Sequence, residues 1–222
     1  MSLRRFWSYN NLSIVIFTIF IVTIILMSIT GWQTENNELK DHSQPAQSYG
    51  EYIVSGNFIE GVFENWESEF LQMWALVVLT IYLRQKGSAD SKPLRGNTEV
   101  DTASRYSILR STSLKQGVKA VKHGIYAHSL GLSLALLFIM SFCFHAIGGS
   151  ESYNEEARQH HSETVTPVQY VTTSQFWYES FQNWQSEFLA VGTLLVLSIH
   201  FRERGSPESK PVGKKYNHKT GE

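Results

Sequence analysis

The apolar residues of this chain fall into four blocks separated by polar segments. Two blocks of 18 residues, 12–29 and 130–147, contain no acidic or basic side chain except His145. Two blocks of 14 residues, 70–83 and 188–201, are each followed by an arginine. A helix needs about 20 mainly apolar residues to cross a bilayer, so the shorter blocks must extend upstream. The predicted spanning helices are about 12–31, 65–84, 129–148 and 183–202.

The chain also consists of two related halves. Residues 12–93 align with residues 130–211 at a constant offset of 118 without a gap, and 27 of the 82 aligned positions are identical. Such a repeat predicts halves related by an axis along the membrane normal. The predicted fold is therefore an all-α integral membrane bundle of four transmembrane helices from two tandem two-helix repeats, 1–93 and 124–211. A soluble protein with buried core helices is the alternative.

Basic residues are concentrated at one end of the predicted helices. Nine Lys or Arg lie within 84–122 and six follow Phe201, whereas the loops that join the paired helices carry only Lys40 and Arg158. Because cytoplasmic loops carry the excess of basic residues, both termini and a basic linker at 94–123 are predicted to be cytoplasmic. This topology explains the linker without a nucleic acid partner. Residues 212–222 are predicted to be a disordered tail.

Aromatic residues recur at helical spacing in the two external loops, where the loops lead into the second helix of each half. The pattern predicts amphipathic segments in the outer membrane interface, with aromatic side chains at the level of the lipid headgroups. The alternative is that these rings line a ligand site. The members of this predicted aromatic belt are Phe63, Trp66, Phe70, Phe181, Trp184 and Phe188.

Two glutamates occupy equivalent positions near the outer ends of the short blocks. Glu69 and Glu187 each follow an asparagine by one helical turn, at Asn65 and Asn183. Across the predicted axis the four side chains form a candidate interface site, since ionisable groups in membranes often mark ion or proton pathways. The alternative is that each glutamate contacts headgroup water or caps a neighbouring helix.

A Glu and a His also recur together in the external loops. Glu38 and His42 correspond to Glu156 and His160, and on a helix each pair would share a face. Four such side chains are plausible transition-metal ligands. An exposed Glu–His pair without a metal is the more ordinary interpretation, so no metal and no cofactor is predicted. His145 has Met27 as its counterpart and is interpreted as a hydrogen-bonded packing residue.

Three motifs, Asn-Glu-x-x-x-His, Phe-x-Asn-Trp-x-Ser-Glu-Phe-Leu and Gly-Ser-x-x-Ser-Lys-Pro, resemble an uncharacterised bacterial membrane-protein family that is described only as a domain of unknown function. The resemblance covers nearly the whole chain. It implies a multi-pass protein of the bacterial cytoplasmic membrane with a four-helix layout. It implies no ligand, reaction or catalytic residue.

These patterns favour a non-enzymatic membrane protein, because the chain has no nucleophile–base arrangement, phosphate loop or CxxC pair. The leading hypothesis is a structural or accessory role in the cell envelope. The first alternative is a small channel or transporter for protons or cations that uses Glu69 and Glu187, and the second is an outer-face metal sensor. The lipid bilayer is the predicted partner, and a protein partner and a homo-oligomer stay open.

Overall fold

The computed structural model describes residues 3–94, 96 and 124–213, and within these ranges the regular structure is helical with no strand. The all-α class is therefore confirmed. The predicted basic linker at 94–123 and the predicted tail at 212–222 lie almost wholly outside the described residues. The helices are α1 (Leu3–Asp41), α2 (Tyr49–Tyr52), α3 (Gly56–Tyr82), α4 (Ser129–Gln159), α5 (Pro167–Tyr170) and α6 (Ser174–His200).

The long helices continue well into segments that the sequence pattern marks as polar loops. α1 runs to Asp41 instead of ending near residue 31, and α3 begins at Gly56 instead of near residue 65. The polar residues after the apolar block of α1 include many good helix formers and no proline, so nothing in them interrupts the helix. The loops between α1 and α3 and between α4 and α6 are consequently shorter than the apolar pattern alone predicts.

Two of the described helices, α1 and α4, are long and apolar enough to cross a membrane. α3 and α6 do not meet the same test, so two of the four predicted spans have this support. The most apolar stretch of α1 is only 6% buried, and that of α4 is 22% buried. A core helix of a soluble protein would be mostly covered, so the exposed apolar surface suggests membrane association.

Contacts divide the chain into two compact units. The first unit comprises residues 1–62 and 146–170, and the second comprises residues 63–145 and 171–222. α3 and α4 each contribute residues to both units.

In the first unit, an asparagine closes the turn that follows α1 and another closes the turn that follows α4. The side chain of Asn36 donates to the carbonyl of Gln47 at 3.1 Å and accepts from its N–H at 2.8 Å. Asn154 makes the same two bonds with Val165 at 2.8 and 2.7 Å. Ser43 and its counterpart 118 residues later both have a φ of 56°, which ends the preceding helix. The two turns thus have the same construction.

We expect Asn36→Ala to lower the free energy of unfolding by about 1–3 kcal/mol, because it removes two hydrogen bonds and leaves the Gln47 N–H without its acceptor, while the Gln47 carbonyl still accepts from Trp32. Asn154→Ala should have a similar effect. Unfolding in detergent, followed by circular dichroism, measures both losses. The control is Asn37→Ala, since that side chain is exposed. Equal stability of Asn36→Ala and Asn37→Ala would contradict the role of the asparagine.

A capping box begins α2. Ser48 accepts a hydrogen bond from the Glu51 N–H, and the Glu51 carboxylate accepts one from the Ser48 N–H at 2.7 Å. This backbone N–H, together with the Ser48 hydroxyl, holds the pKa of Glu51 below its ordinary value. The short helix ends at Tyr52, whose side chain is buried.

Two glycines of the first unit allow a very close backbone approach. A Cβ atom added to Gly56 would lie 2.6 Å from the backbone nitrogen of Ser152, and one added to Gly148 would lie 2.6 Å from the backbone nitrogen of Glu60. Small residues at such positions let helix backbones pack closely, as is common in membrane proteins. α3 and α4 therefore meet through their backbones in this unit.

In the second unit, the motif Gly-Ser-x-x-Ser-Lys-Pro folds into the same hook after α3 and after α6. The Ser91 hydroxyl accepts from the Gln85 N–H at 2.7 Å, and the Ser209 hydroxyl accepts from the Glu203 N–H at 2.8 Å. The glycine that opens each hook has a φ of 84° or 89°, a conformation that other residues rarely adopt. This geometry explains why the motif has a glycine at its first position and a serine at its fifth.

Candidate functional site

The second unit contains ionisable side chains that are removed from solvent. Glu67 on α3 and His145 on α4 each have 0% of the side chain exposed, and Glu179 on α6 has 16% exposed. Burying a charge is costly unless another charged or hydrogen-bonding group compensates it. The three side chains compensate one another, and we call them the buried cluster.

His145 lies between the two carboxylates. Its Nδ1 is 2.8 Å from Oε2 of Glu67, and its Nε2 is 3.4 Å from Oε2 of Glu179. An ionised carboxylate can only accept a hydrogen bond, so both contacts require either an imidazolium or one protonated carboxyl group. In either form, the buried cluster holds one proton more than a neutral imidazole with two carboxylates.

The remaining carboxylate oxygens indicate where that proton lies. Trp184 donates from Nε1 to Oε1 of Glu67 at 3.0 Å. Gln175 donates from its side-chain amide to Oε1 of Glu179. Each carboxylate thus accepts on the oxygen that faces away from His145, which suits the ionised form. The arrangement favours an imidazolium held between two carboxylates, with a net charge of −1.

Aromatic rings cover the imidazole. The ring of Phe176, which is fully buried, stacks on that of His145 with the ring centroids 4.6 Å apart and the planes 23° apart. Phe142 meets Phe176 edge to face at 5.1 Å. Such packing excludes water and lowers the local dielectric constant, which strengthens the ionic hydrogen bonds of the buried cluster.

Two more polar side chains lie on this part of α6. Asn183 donates to the carboxylate of Glu64 and also to the backbone carbonyl of Glu179 at 3.2 Å. Ser180 is buried. Among the described residues, its hydroxyl oxygen is the single buried side-chain nitrogen or oxygen atom without a hydrogen-bond partner. Ser180 lies one turn from Phe176 on the helix, close in sequence to the buried cluster. A hydroxyl both donates and accepts, so this group is suited to relaying a proton.

The four residues of the predicted interface site differ in their exposure to solvent. Glu69 and Asn65 are exposed, and Glu187 is half-buried. The negative charge of Glu187 acts on Glu69, so these two carboxylates interact electrostatically. Neither takes part in the hydrogen bonds of the buried cluster described above. Asn183 is the member of the predicted set that adjoins the buried cluster, because it donates to the backbone carbonyl of Glu179 as well as to the carboxylate of Glu64.

The six residues of the predicted aromatic belt also differ in their surroundings. Phe63 stacks on Phe144 at 4.6 Å and contacts Trp66 edge to face at 5.1 Å. Trp184 turns its indole nitrogen toward Glu67, so this ring binds a buried carboxylate. Phe181 and Phe188 are exposed, as a lipid-facing belt requires, and Phe70 is half-buried.

The predicted Glu–His pairs do come together. Glu38, His42, Glu156 and His160 line one cavity in the first unit. This cavity shares no residue with the buried cluster.

The residues of the buried cluster have no ionisable counterparts in the other half. At the offset of 118, His145 corresponds to Met27, Glu67 to Gln185 and Glu179 to Gly61. A search for residues that recur in both halves therefore misses all three. The available signal was His145 itself, which is the one acidic or basic side chain within the apolar block 130–147.

Comparison with protein families matches nearly the whole chain. The family model described as "Domain of unknown function (DUF6766)" matches residues 3–222. The predicted resemblance to an uncharacterised family is thus confirmed. No curated protein and no solved structure matches the chain.

Proposed function

Because the chain belongs to the family described as Domain of unknown function (DUF6766), whose description assigns no activity, we propose its role from the chemistry of the buried cluster. The protein is a non-enzymatic, helical membrane protein that binds and exchanges protons at Glu67, His145 and Glu179. The observation that carries this proposal is the buried imidazole whose two nitrogens both face carboxylates.

The membrane setting rests on exposed apolar helices and on charge. α1 and α4 cross the bilayer, and α3 and α6 complete a four-helix bundle of two tandem repeats. The identical turns and hooks at the offset of 118 support this symmetry. The resemblance noted in the sequence implies a bacterial cytoplasmic membrane location, and the basic residues after α3 and α6 support an orientation with both termini on the cytoplasmic side. Lipid is then the partner of the exposed apolar surface.

Proton exchange follows from the unequal surroundings of the two imidazole nitrogens. The Nδ1 side faces Glu67, which is inaccessible to solvent and fixed by Trp184. The Nε2 side faces Glu179, which is partly exposed and more distant. A proton therefore enters most easily at the Glu179 side, the short bond to Glu67 stabilises the charged imidazole, and transport requires the proton to leave on the Glu67 side. This is the arrangement of a proton relay.

The test is proton flux into liposomes. The purified protein is reconstituted with a pH-sensitive dye inside, and a potassium gradient with valinomycin drives proton entry. Wild-type protein should acidify the lumen faster than empty liposomes do. His145→Gln keeps hydrogen-bonding groups but cannot hold the proton, so flux should fall about 100-fold or to the empty-liposome rate.

Two control variants make the test specific. Glu151→Gln changes an exposed carboxylate outside the buried cluster and should leave flux unchanged. The double variant Glu69→Gln, Glu187→Gln tests the predicted interface site, and loss of flux there with full flux in His145→Gln would overturn the role of the buried cluster. Wild-type flux equal to that of empty liposomes would overturn proton transport and favour the structural or accessory role.

A further inference from the structure

The first unit contains a polar cavity of about 290 Å³. Its carboxylates and imidazoles come from the last turns of α1 and α4 and from the residues that follow them. No lysine or arginine lines it. The lining residues are Glu35, Glu38, Leu39, His42, Asn57, Ser152, Glu155, Glu156, Gln159 and His160.

The helix ends contribute to the negative character of this cavity. α1 ends at Asp41 and α4 ends at Gln159, so each histidine directly follows a helix C-terminus. The N–H of His42 donates to the carbonyl of Glu38, and the N–H of His160 donates to that of Glu156, both at 3.1 Å. The C-terminus of a helix carries a partial negative charge. Two such ends and four glutamates create a strong preference for a cation.

Hydrogen bonds hold one part of the cavity wall in place. Asn57 donates to Oε2 of Glu35 at 2.7 Å, and Ser152 donates to Oδ1 of Asn57. This chain fixes the Glu35 carboxylate at the side of the cavity. The two Glu–His pairs take no part in these hydrogen bonds, so they are the groups available to a ligand.

We propose that this cavity binds a divalent transition-metal ion such as Zn²⁺. His42 and His160 supply two imidazole nitrogens, and Glu38 and Glu156 supply two carboxylate oxygens. This mixed nitrogen and oxygen set suits zinc, which takes four ligands in a tetrahedral arrangement. Glu35 and Glu155 add negative charge around the ion. An alkaline-earth ion would use the carboxylates alone and leave the histidines without a role.

The side chains must move to form the site, and this limits the affinity. Glu38, His42, Glu156 and His160 are exposed, and no three ligand atoms among these described residues lie within 4.8 Å of one another. Ordering four exposed side chains costs conformational entropy. We therefore expect a dissociation constant on the order of 1–100 µM, weaker than that of structural zinc sites. Such an affinity suits reversible sensing of external metal.

The experiment is a titration of the full chain, purified without a polyhistidine tag, with Zn²⁺ alone. Isothermal titration calorimetry should give one ion per chain in the stated range. Zn²⁺ should also raise the midpoint of thermal unfolding, and a chelator should reverse the shift. The double variant His42→Ala, His160→Ala should weaken binding at least about tenfold, because it removes both nitrogen ligands.

His161→Ala is the matched control, because His161 adjoins His160 but does not line the cavity. It should bind Zn²⁺ as the wild type does. Unchanged binding in the His42→Ala, His160→Ala variant would overturn the proposal. Binding that survives in the double variant and is lost in His145→Gln would also overturn the proposal, because the ion would then lie at the buried cluster. Proton flux and zinc binding are measured separately, so either proposal can fail alone.

Discussion

Gly148→Ala is expected to destabilise the protein by about 3 kcal/mol or more. The added Cβ would lie 2.6 Å from the backbone nitrogen of Glu60 and 2.8 Å from the Cγ2 atom of Ile59. The first of these is a backbone atom, so a change of rotamer cannot relieve the clash and the helices must separate. Overpacking a tight contact typically costs 1–3 kcal/mol and sometimes more. Equilibrium unfolding in mixed detergent micelles measures the loss.

Gly192→Ala is the control for this prediction. Gly192 lies inside α6, and a Cβ atom there would meet nothing within 4 Å. Alanine favours a helix over glycine by about 1 kcal/mol, so this variant should be as stable as the wild type or slightly more stable. Full stability in Gly148→Ala would mean that the backbones of α3 and α4 are not in the close contact described above.

Glu67→Ala should be the most damaging single change in the buried cluster. It leaves the charged His145 with no fully buried partner and removes the acceptor of the Trp184 N–H. Removing one member of a buried ion pair typically costs about 3–5 kcal/mol. Glu67→Gln keeps an oxygen for Trp184 and should cost less. Both losses can be measured by the same unfolding assay.

A double variant separates the charge from the packing. Glu67→Leu with His145→Leu removes both partners, so it should cost less than the sum of the two single changes. Gln185→Ala is the matched control, because Gln185 occupies the position equivalent to Glu67 and is exposed. Its effect should stay within about 0.5 kcal/mol. Equal losses at Glu67 and Gln185 would contradict the special role of the buried carboxylate.

The apolar pattern predicted the helices better than it predicted their ends. The blocks at 12–29 and 130–147 lie within α1 and α4, because long uninterrupted apolar runs have few other structures available. The ends depend on local turn chemistry. The pairing of Asn36 with Gln47 closes the first turn, and it joins residues on the two sides of a break in the helix. Hydrophobic periodicity carries no information about such a bond.

The buried cluster could not be predicted from the repeat. Repeat comparison selects residues that are the same in both halves, and it led to Glu69 and Glu187. The structure leaves Glu69 exposed and buries Glu67, which lies two positions away on a different face of the same helix. Which face of α3 is covered depends on the packing of α4 and α6. Tertiary contacts, and not the sequence of any one helix, select the buried glutamate.

The buried cluster combines residues from both halves of the chain, so neither half can form it alone. Glu67 comes from the first half, whereas His145 and Glu179 come from the second. A homodimer of the first half would have Met27 in place of the histidine, and a homodimer of the second would have Gln185 in place of the glutamate. Both halves contain a turn and a hook, yet neither half alone contains the buried cluster. Because the two halves differ at these positions, the chain has a chemistry that a symmetric dimer of either half would lack.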